Sequence, residues 1–165
     1  MLLINHVFRC VLLLLLAITA RAQTTTDASQ FVTAMQLGKS FYALSEKTAV
    51  RTTLYQALVD AVGDSSAQAL MQEHLARAVE QRQDVWNDNL LSAYRAHLTD
   101  AQLLSIANQG KASPHAAVFL ESRKRVSDDM QVMSADLLLE TVAEGLNAAL
   151  SAASASEPES ESTQP

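Results

Sequence analysis

Apolar residues recur along most of this chain at three- and four-residue spacing, which is the period of an amphipathic helix. The first stripe comprises Phe31, Met35, Gly38, Phe41 and Tyr42. It predicts one helix from about Ser29 to Leu44. A second stripe, from Val50 to Val62, predicts a short helix that stops at Gly63, because glycine readily adopts the positive φ of a helix end.

The third stripe is the longest and extends from Ala67 to Leu98. A helix of that length measures roughly 50 Å at 1.5 Å per residue. We therefore expect it to curve, or to break near Asn87-Asp88-Asn89. Asp64 or Ser65 is expected to cap its start. The residues of this stripe that we expect in the core include Leu75, Val79, Trp86 and Leu90.

Two later helix starts are marked by capping patterns. Thr99 and Gln102 have the spacing of a capping box, in which each side chain satisfies a free backbone N–H. The short helix that follows is expected to stop at Gly110. Ser113-Pro114 then places an N-cap before a proline at the first helical position.

The last stripe runs from Val118 to Leu150 and includes Met130 and Met133. A second cap at Ser127-Asp128-Asp129 would divide it into two helices. Nowhere does the chain alternate apolar and polar residues rich in β-branched or aromatic side chains, as strands would. We therefore predict an all-α fold, a bundle of four to five helices.

The amino terminus has the pattern of a secretory signal. A short polar n-region is followed by an apolar run from Val11 to Ala20 and by small residues at Ala20 and Ala22. An uncleaved membrane anchor is the alternative, but the run is shorter than the roughly 20 residues of a bilayer-spanning helix. We predict cleavage after Ala22, which removes Cys10, the single cysteine.

Four segments follow from these patterns. They are a signal peptide (1–22), a Thr-rich leader (23–28), a helical domain (29–150) and a tail (151–165). The tail contains mainly Ser, Ala, Glu, Thr, Gln and Pro, so it has little to bury, and we predict that it is acidic and disordered.

Charge and cysteine content narrow the functional classes. The whole chain carries 12 basic and 18 acidic residues, a net charge of −6. Loss of Arg9 and Arg21 with the signal leaves 10 basic against 18 acidic residues, or −8. This balance disfavours nucleic acid and anionic lipid as partners. A mature chain without cysteine has no thiol chemistry, and it suits a periplasmic or secreted location.

The segment from Tyr94 to Pro114 resembles a known family pattern. The matching residues are Tyr94, Leu98-Thr99, Gln102-Leu103, Ile106 and Ser113-Pro114. They resemble the C-terminal signature of a family of small secreted bacterial all-helical proteins catalogued only as a domain of unknown function. That pattern has Glu where this chain has Gln102, and Phe-Tyr where it has Asn108-Gln109. The resemblance implies a helical fold and export, and it implies no activity.

Metal and haem sites find little support in the sequence. His74, His97 and His115 are the histidines of the predicted mature chain, and none has the Glu-x-x-His or His-x-x-x-His spacing of a helical metal site. Met130 and Met133 are candidate haem ligands beside a histidine, but methionines at core spacing usually fill gaps. We predict no metal, no cofactor and no catalytic residue.

Two sets of charged residues are candidates for function. Glu73 and Glu80 share a helix face and are candidates for acid/base chemistry on cell-wall glycans. Arg77 lies one turn from each, which favours a solvated ladder of ion pairs.

The basic run Arg123-Lys124-Arg125 is interpreted as a solvated helix surface, because consecutive helix residues point 100° apart. Trp86 is interpreted as core, with a role as an interface anchor left open.

These observations favour a non-enzymatic periplasmic binding protein. Its partner is expected to be another envelope protein or an apolar ligand held between helices, without stable insertion in a membrane once the signal is removed. An alternative is an inhibitor or immunity-type protein that neutralises a basic envelope-active enzyme, with its acidic surface steering association. A cell-wall-active enzyme is a further alternative.

Overall fold

The computed structural model describes residues 28–155, in which all regular secondary structure is helical. The predicted all-α class is confirmed for this part of the chain. The predicted signal peptide, residues 23–27 of the leader and residues 156–165 of the tail lie outside the described residues. The described part of the chain has six α-helices: α1 (Gln30–Ala34), α2 (Ser40–Ala49), α3 (Thr53–Val62), α4 (Asp64–Arg95), α5 (Asp100–Gln109) and α6 (Ala116–Ala155).

Helices α4 and α6 form a long antiparallel hairpin that organises the fold. Gly145 meets Leu75 toward one end of the pair, and Asn89 bonds to Ser134 nearer the other. At 1.5 Å per residue, α4 and α6 are about 48 Å and about 60 Å long. Helix α5 lies in their connection, α2 and α3 pack against both long helices, and α1 packs on α5. None of the helices between residues 28 and 155 has the length and apolar character needed to cross a membrane.

Small residues let the long helices approach closely at Gly145. A Cβ atom added to Gly145 would lie 2.9 Å from Cα of Leu75, a backbone atom that cannot move aside independently. Four and eight residues further along, Ala149 and Ala153 are also buried. The chain therefore uses glycine here because there is no room for a side chain, although glycine weakens a helix interior.

Gly145→Val is expected to lower the free energy of unfolding by about 1–3 kcal/mol, because overpacking forces the two helix backbones apart. Urea denaturation measures this loss. Asn147→Val, two residues away on an exposed position of α6, is the control and should change stability by less than about 0.5 kcal/mol. Equal stability of the two variants would show that the helices separate there without cost.

The first predicted helix is divided in two, so residues 28–155 contain six α-helices where four or five were expected. Gln36 adopts a left-handed conformation (φ 54°) and ends the regular turn after α1. A 3₁₀ turn over Leu37–Lys39 follows. The amide of Gln83 on α4 donates a hydrogen bond to the Gly38 carbonyl at 3.2 Å. This tertiary contact holds the interruption, and the apolar spacing did not reveal it.

Several predicted helix ends are confirmed. Thr99 and Gln102 form the complete capping box at the start of α5. Gly63 and Gly110 have positive φ and end α3 and α5. Ser113 accepts a hydrogen bond from the backbone N–H of His115, as an N-cap does, although regular helix begins only at Ala116.

Other boundary predictions are wrong. Neither Asp64 nor Ser65 caps α4, because the helix begins directly after Gly63 and Asp64 already lies in its first turn. A carboxylate there still interacts favourably with the free N–H groups of the helix start. The capping residue that the sequence analysis missed is Thr52, whose hydroxyl accepts the Tyr55 N–H at the start of α3.

Each of the two long apolar stripes lies on one continuous helix, α4 or α6. Neither Asn87-Asp88-Asn89 nor Ser127-Asp128-Asp129 interrupts its helix. Helix α6 also continues five residues past the predicted domain end at Leu150, and Ala153 within this extension is buried, so disorder is wrong for 151–155.

The core joins both long helices to the short ones. Leu75, Val79, Trp86 and Leu90 are buried as expected. Ala28, predicted to belong to the leader, is buried as well, so the core includes it. Met133, expected on the core stripe, is an exposed residue.

Candidate functional site

A cleft of about 520 Å³ opens between α2 and α6, with α4 beneath it. Three residues of α4 form its floor: Trp86, Leu90 and Tyr94. They stand at four-residue spacing, so one side of α4 presents all three, and each is buried. The floor is therefore apolar and is held by the same stripe that builds the core.

Aromatic stacking fixes the two ends of this floor. The Trp86 ring stacks on Phe41 of α2 with ring centroids 4.6 Å apart. The Tyr94 ring stacks on Phe119 of α6 with centroids 5.4 Å apart. Each of these two α4 rings is therefore held in place by a neighbouring helix.

Helix α6 supplies one wall of the cleft, and the segment from Met35 to Leu44 supplies the other. Two rows with four-residue spacing run along α6, one facing inward and one along the rim. The inner row is Val126, Met130, Ser134 and Leu138, and the rim row is Arg123, Ser127, Gln131 and Ala135. The opposite wall is Met35, Leu37, Ser40 and Leu44. Leu44 remains exposed at its edge.

The cleft stays open because several lining side chains are small. Ser40 lies on one wall, and Ser127, Ser134 and Ala135 lie on the other. The Ser134 hydroxyl accepts a 3.0 Å hydrogen bond from the Asn89 side chain, so it already has a partner within the protein. Larger apolar residues at these positions would close the gap between α2 and α6, and this chain leaves it unfilled.

The charge at the cleft is positive, although the chain as a whole is acidic. Among the described residues that line the cleft, Arg123 is the one charged side chain. The ion pairs formed within residues 28–155 do not include it. Burial raises the pKa of the Tyr94 hydroxyl, and the nearby Arg123 guanidinium partly offsets that rise. Arg123 therefore lies at the Tyr94 end of the cleft with its charge uncompensated.

The Trp86 indole adds an unsatisfied polar group to the floor. Its Nε1 atom is buried and has no hydrogen-bond partner in the described part of the chain. Leaving a buried donor unpaired costs about 1–3 kcal/mol. Phenylalanine would give an aromatic floor without that cost, so the indole is a feature of the cleft that packing alone does not explain.

The carboxylates considered for catalysis lie away from the cleft. Glu73 forms an exposed ion pair with Arg77, as the sequence analysis favoured. Glu80 is exposed and forms no ion pair within residues 28–155. Both side chains are exposed to solvent, whereas catalytic acid chemistry on glycans uses a carboxyl group in a desolvated setting.

The basic run has two different roles. Lys124 pairs with Asp128 at 2.8 Å on the exposed surface, in line with the sequence interpretation, and Arg125 is exposed. Arg123 is exposed too, as the sequence interpretation expected, but it also lines the rim of the cleft. The sequence signal was the 100° turn between neighbours, which directs only one of three adjacent charges toward a given partner.

His97, Met130 and Met133 have different surroundings within residues 28–155. His97 contacts Asp129 of α6 at 2.7 Å and ties the end of α4 to α6. Nowhere in residues 28–155 do three His, Cys, Asp or Glu side chains come together to hold a metal ion. Met130 lines the cleft, whereas Met133 does not.

Comparison of the chain with known protein families, with characterised proteins and with solved structures returned no match.

Proposed function

We propose that this chain is a non-catalytic binding protein whose site is the cleft between α2 and α6. One observation carries the proposal: a preformed cleft of about 520 Å³ with an apolar floor of Trp86, Leu90 and Tyr94. Ligand sites have volumes of roughly 300–1,000 Å³ and are mostly apolar with a few polar groups. The cleft has this size and this composition.

Burial of apolar surface is the driving force for such binding. Each square ångström of apolar surface removed from water contributes about 25 cal/mol. Leu44 lies exposed at the edge of the cleft, so a bound apolar group covers surface that water now contacts. The ligand is therefore an apolar molecule or the apolar part of a larger one.

Export to the periplasm or outside the cell remains part of the proposal and rests on the sequence pattern of residues 1–22. The inhibitor alternative rests on net acidity, and the cleft does not favour it, since its one charge is basic. The cell-wall enzyme alternative loses its main support because Glu73 and Glu80 lie in solvent.

The single tryptophan of the sequence, Trp86, is a built-in reporter of cleft occupancy. Titration with N-phenyl-1-naphthylamine, an uncharged apolar fluorophore, is expected to change Trp86 emission saturably. Calorimetry should give a negative heat-capacity change, the mark of apolar burial. Added salt should change this affinity little, because the probe carries no charge.

Ala135→Phe is the variant that tests the location of the site. A phenyl ring on the rim is expected to fill the cleft and weaken probe binding at least tenfold. Ala117→Phe, an exposed position of α6 outside the cleft, is the matched control and should bind as the unmodified chain does. Unchanged binding by Ala135→Phe would place the probe elsewhere and refute this site.

A further inference from the structure

We infer that the ligand of this cleft is a single-chain amphiphile, a long-chain aliphatic carboxylate, whose head group is held by Arg123. The inference rests on the proposed function and adds the chemical class of the ligand. Three features carry it: an unpaired cation at one end of the cleft, an apolar trough leading away from it, and a volume that suits one aliphatic chain.

The unpaired cation selects an anionic head group. Arg123 lines the cleft and forms no ion pair with the other described residues, whereas its neighbour Lys124 is paired with Asp128. No carboxylate side chain is among the described residues that line the cleft. The Arg123 guanidinium therefore attracts an anionic head group without competition from a protein carboxylate, and it repels a cationic head group.

The guanidinium group matches a carboxylate in shape as well as in charge. Its planar fork of N–H donors can bond to both carboxylate oxygens at once. Ser127, one turn further along the rim of α6, has a hydroxyl that lines the same cleft. Phe119, one turn before Arg123 on α6, stacks on Tyr94. The donor side chains of Arg123, Ser127 and Tyr94 therefore line the same end of the cleft.

The rest of the cleft suits an unbranched apolar chain. Trp86 and Tyr94 are eight residues apart on α4, which makes the floor between their backbones about 12 Å long. If a methylene is taken as about as large as the roughly 30 Å³ that a water molecule occupies in the liquid, the cleft volume of about 520 Å³ holds roughly 17 carbons, which is enough for one aliphatic chain. The part of such a chain next to its head group would lie along Leu90, with the head at Arg123.

Calorimetry with three ten-carbon probes, each below its micelle concentration, tests the head group. Decanoate, decan-1-ol and decyltrimethylammonium share one chain and differ in charge. We expect decanoate to bind at least tenfold more tightly than decan-1-ol, and the cation to bind most weakly. The decanoate affinity alone should fall as salt is raised, because salt screens its attraction to Arg123.

Arg123→Gln tests the residue. This variant is expected to lower decanoate affinity about tenfold and decan-1-ol affinity by much less, because the alcohol carries no charge. Arg125→Gln is the matched control, since it removes the same charge from an exposed position outside the cleft, and it should leave both affinities unchanged. Equal losses from the two variants would mean that net charge, and not Arg123, attracts the carboxylate, and the inference would be wrong.

The remaining outcomes separate the inference from the proposed function. Equal binding of decanoate and decan-1-ol would overturn the carboxylate inference while the apolar site stands. Equal affinities for the two probes are expected if the cleft binds the apolar face of a helix from another protein. Failure of all three probes and of N-phenyl-1-naphthylamine would overturn both.

Discussion

Phe31→Ala is expected to lower the free energy of unfolding by about 3–5 kcal/mol, the range for removing a buried phenyl ring. Phe31 is 0% exposed although it belongs to a helix of only five residues. Its ring meets Tyr94 edge-on at 5.1 Å and Phe119 at 6.0 Å between centroids. The substitution therefore removes the contact that ties α1 to both long helices, and urea denaturation measures the loss.

Two controls accompany this variant. Phe31→Leu keeps most of the apolar volume and should recover much of the lost stability. Val132→Ala removes apolar atoms from a side chain that is 86% exposed and should change stability by less than about 0.5 kcal/mol. A loss below about 1 kcal/mol for Phe31→Ala would show that α1 docks weakly and unfolds separately from the hairpin.

Leu75→Ala is expected to cost about 2–5 kcal/mol, because the surrounding helices cannot collapse into the space that the side chain leaves. Leu75 is 0% exposed and lies where α4 and α6 come closest, against Gly145. The same substitution at Leu139, which is 57% exposed on α6, is the matched comparison. That variant should stay within about 0.5 kcal/mol of the unmodified chain.

The comparison of the two leucine variants tests the hairpin itself. Both remove the same atoms from a long helix, so a difference in stability reports burial alone. Similar melting temperatures for the two variants would contradict the packing of α4 on α6 at Gly145.

Helix ends were predictable where the signal is local. The Thr99–Gln102 box closes within one turn, so sequence neighbours are enough to specify it. Gly63 and Gly110 have positive φ values that few other residues tolerate, and both end helices. The interruption at Gln36 is different, because its support comes from the hydrogen bond between Gln83 and Gly38, which lie 45 residues apart in sequence.

The cleft could be predicted only in part. The spacing of Trp86 and Leu90 placed both on one side of α4, as the structure confirms, but periodicity alone could not distinguish a core wall from the floor of a cleft. The available clue was the set of small polar residues within the α6 stripe, Ser127 and Ser134, which cannot fill the space that larger apolar residues would. The sequence contains no comparable clue for Arg123, because its place at the cleft depends on which helices pack beside α6.

The sequence by itself determined that this chain folds as helices, since apolar periodicity and caps act within one or two turns. Only the tertiary structure decided where α2 and α6 stay apart above α4 and which of three adjacent basic residues faces that gap. The physical reason is that a helix period specifies the direction of a side chain relative to its own axis. The partner that it meets depends on how helices distant in sequence pack, as the contact of Gly145 with Leu75 shows.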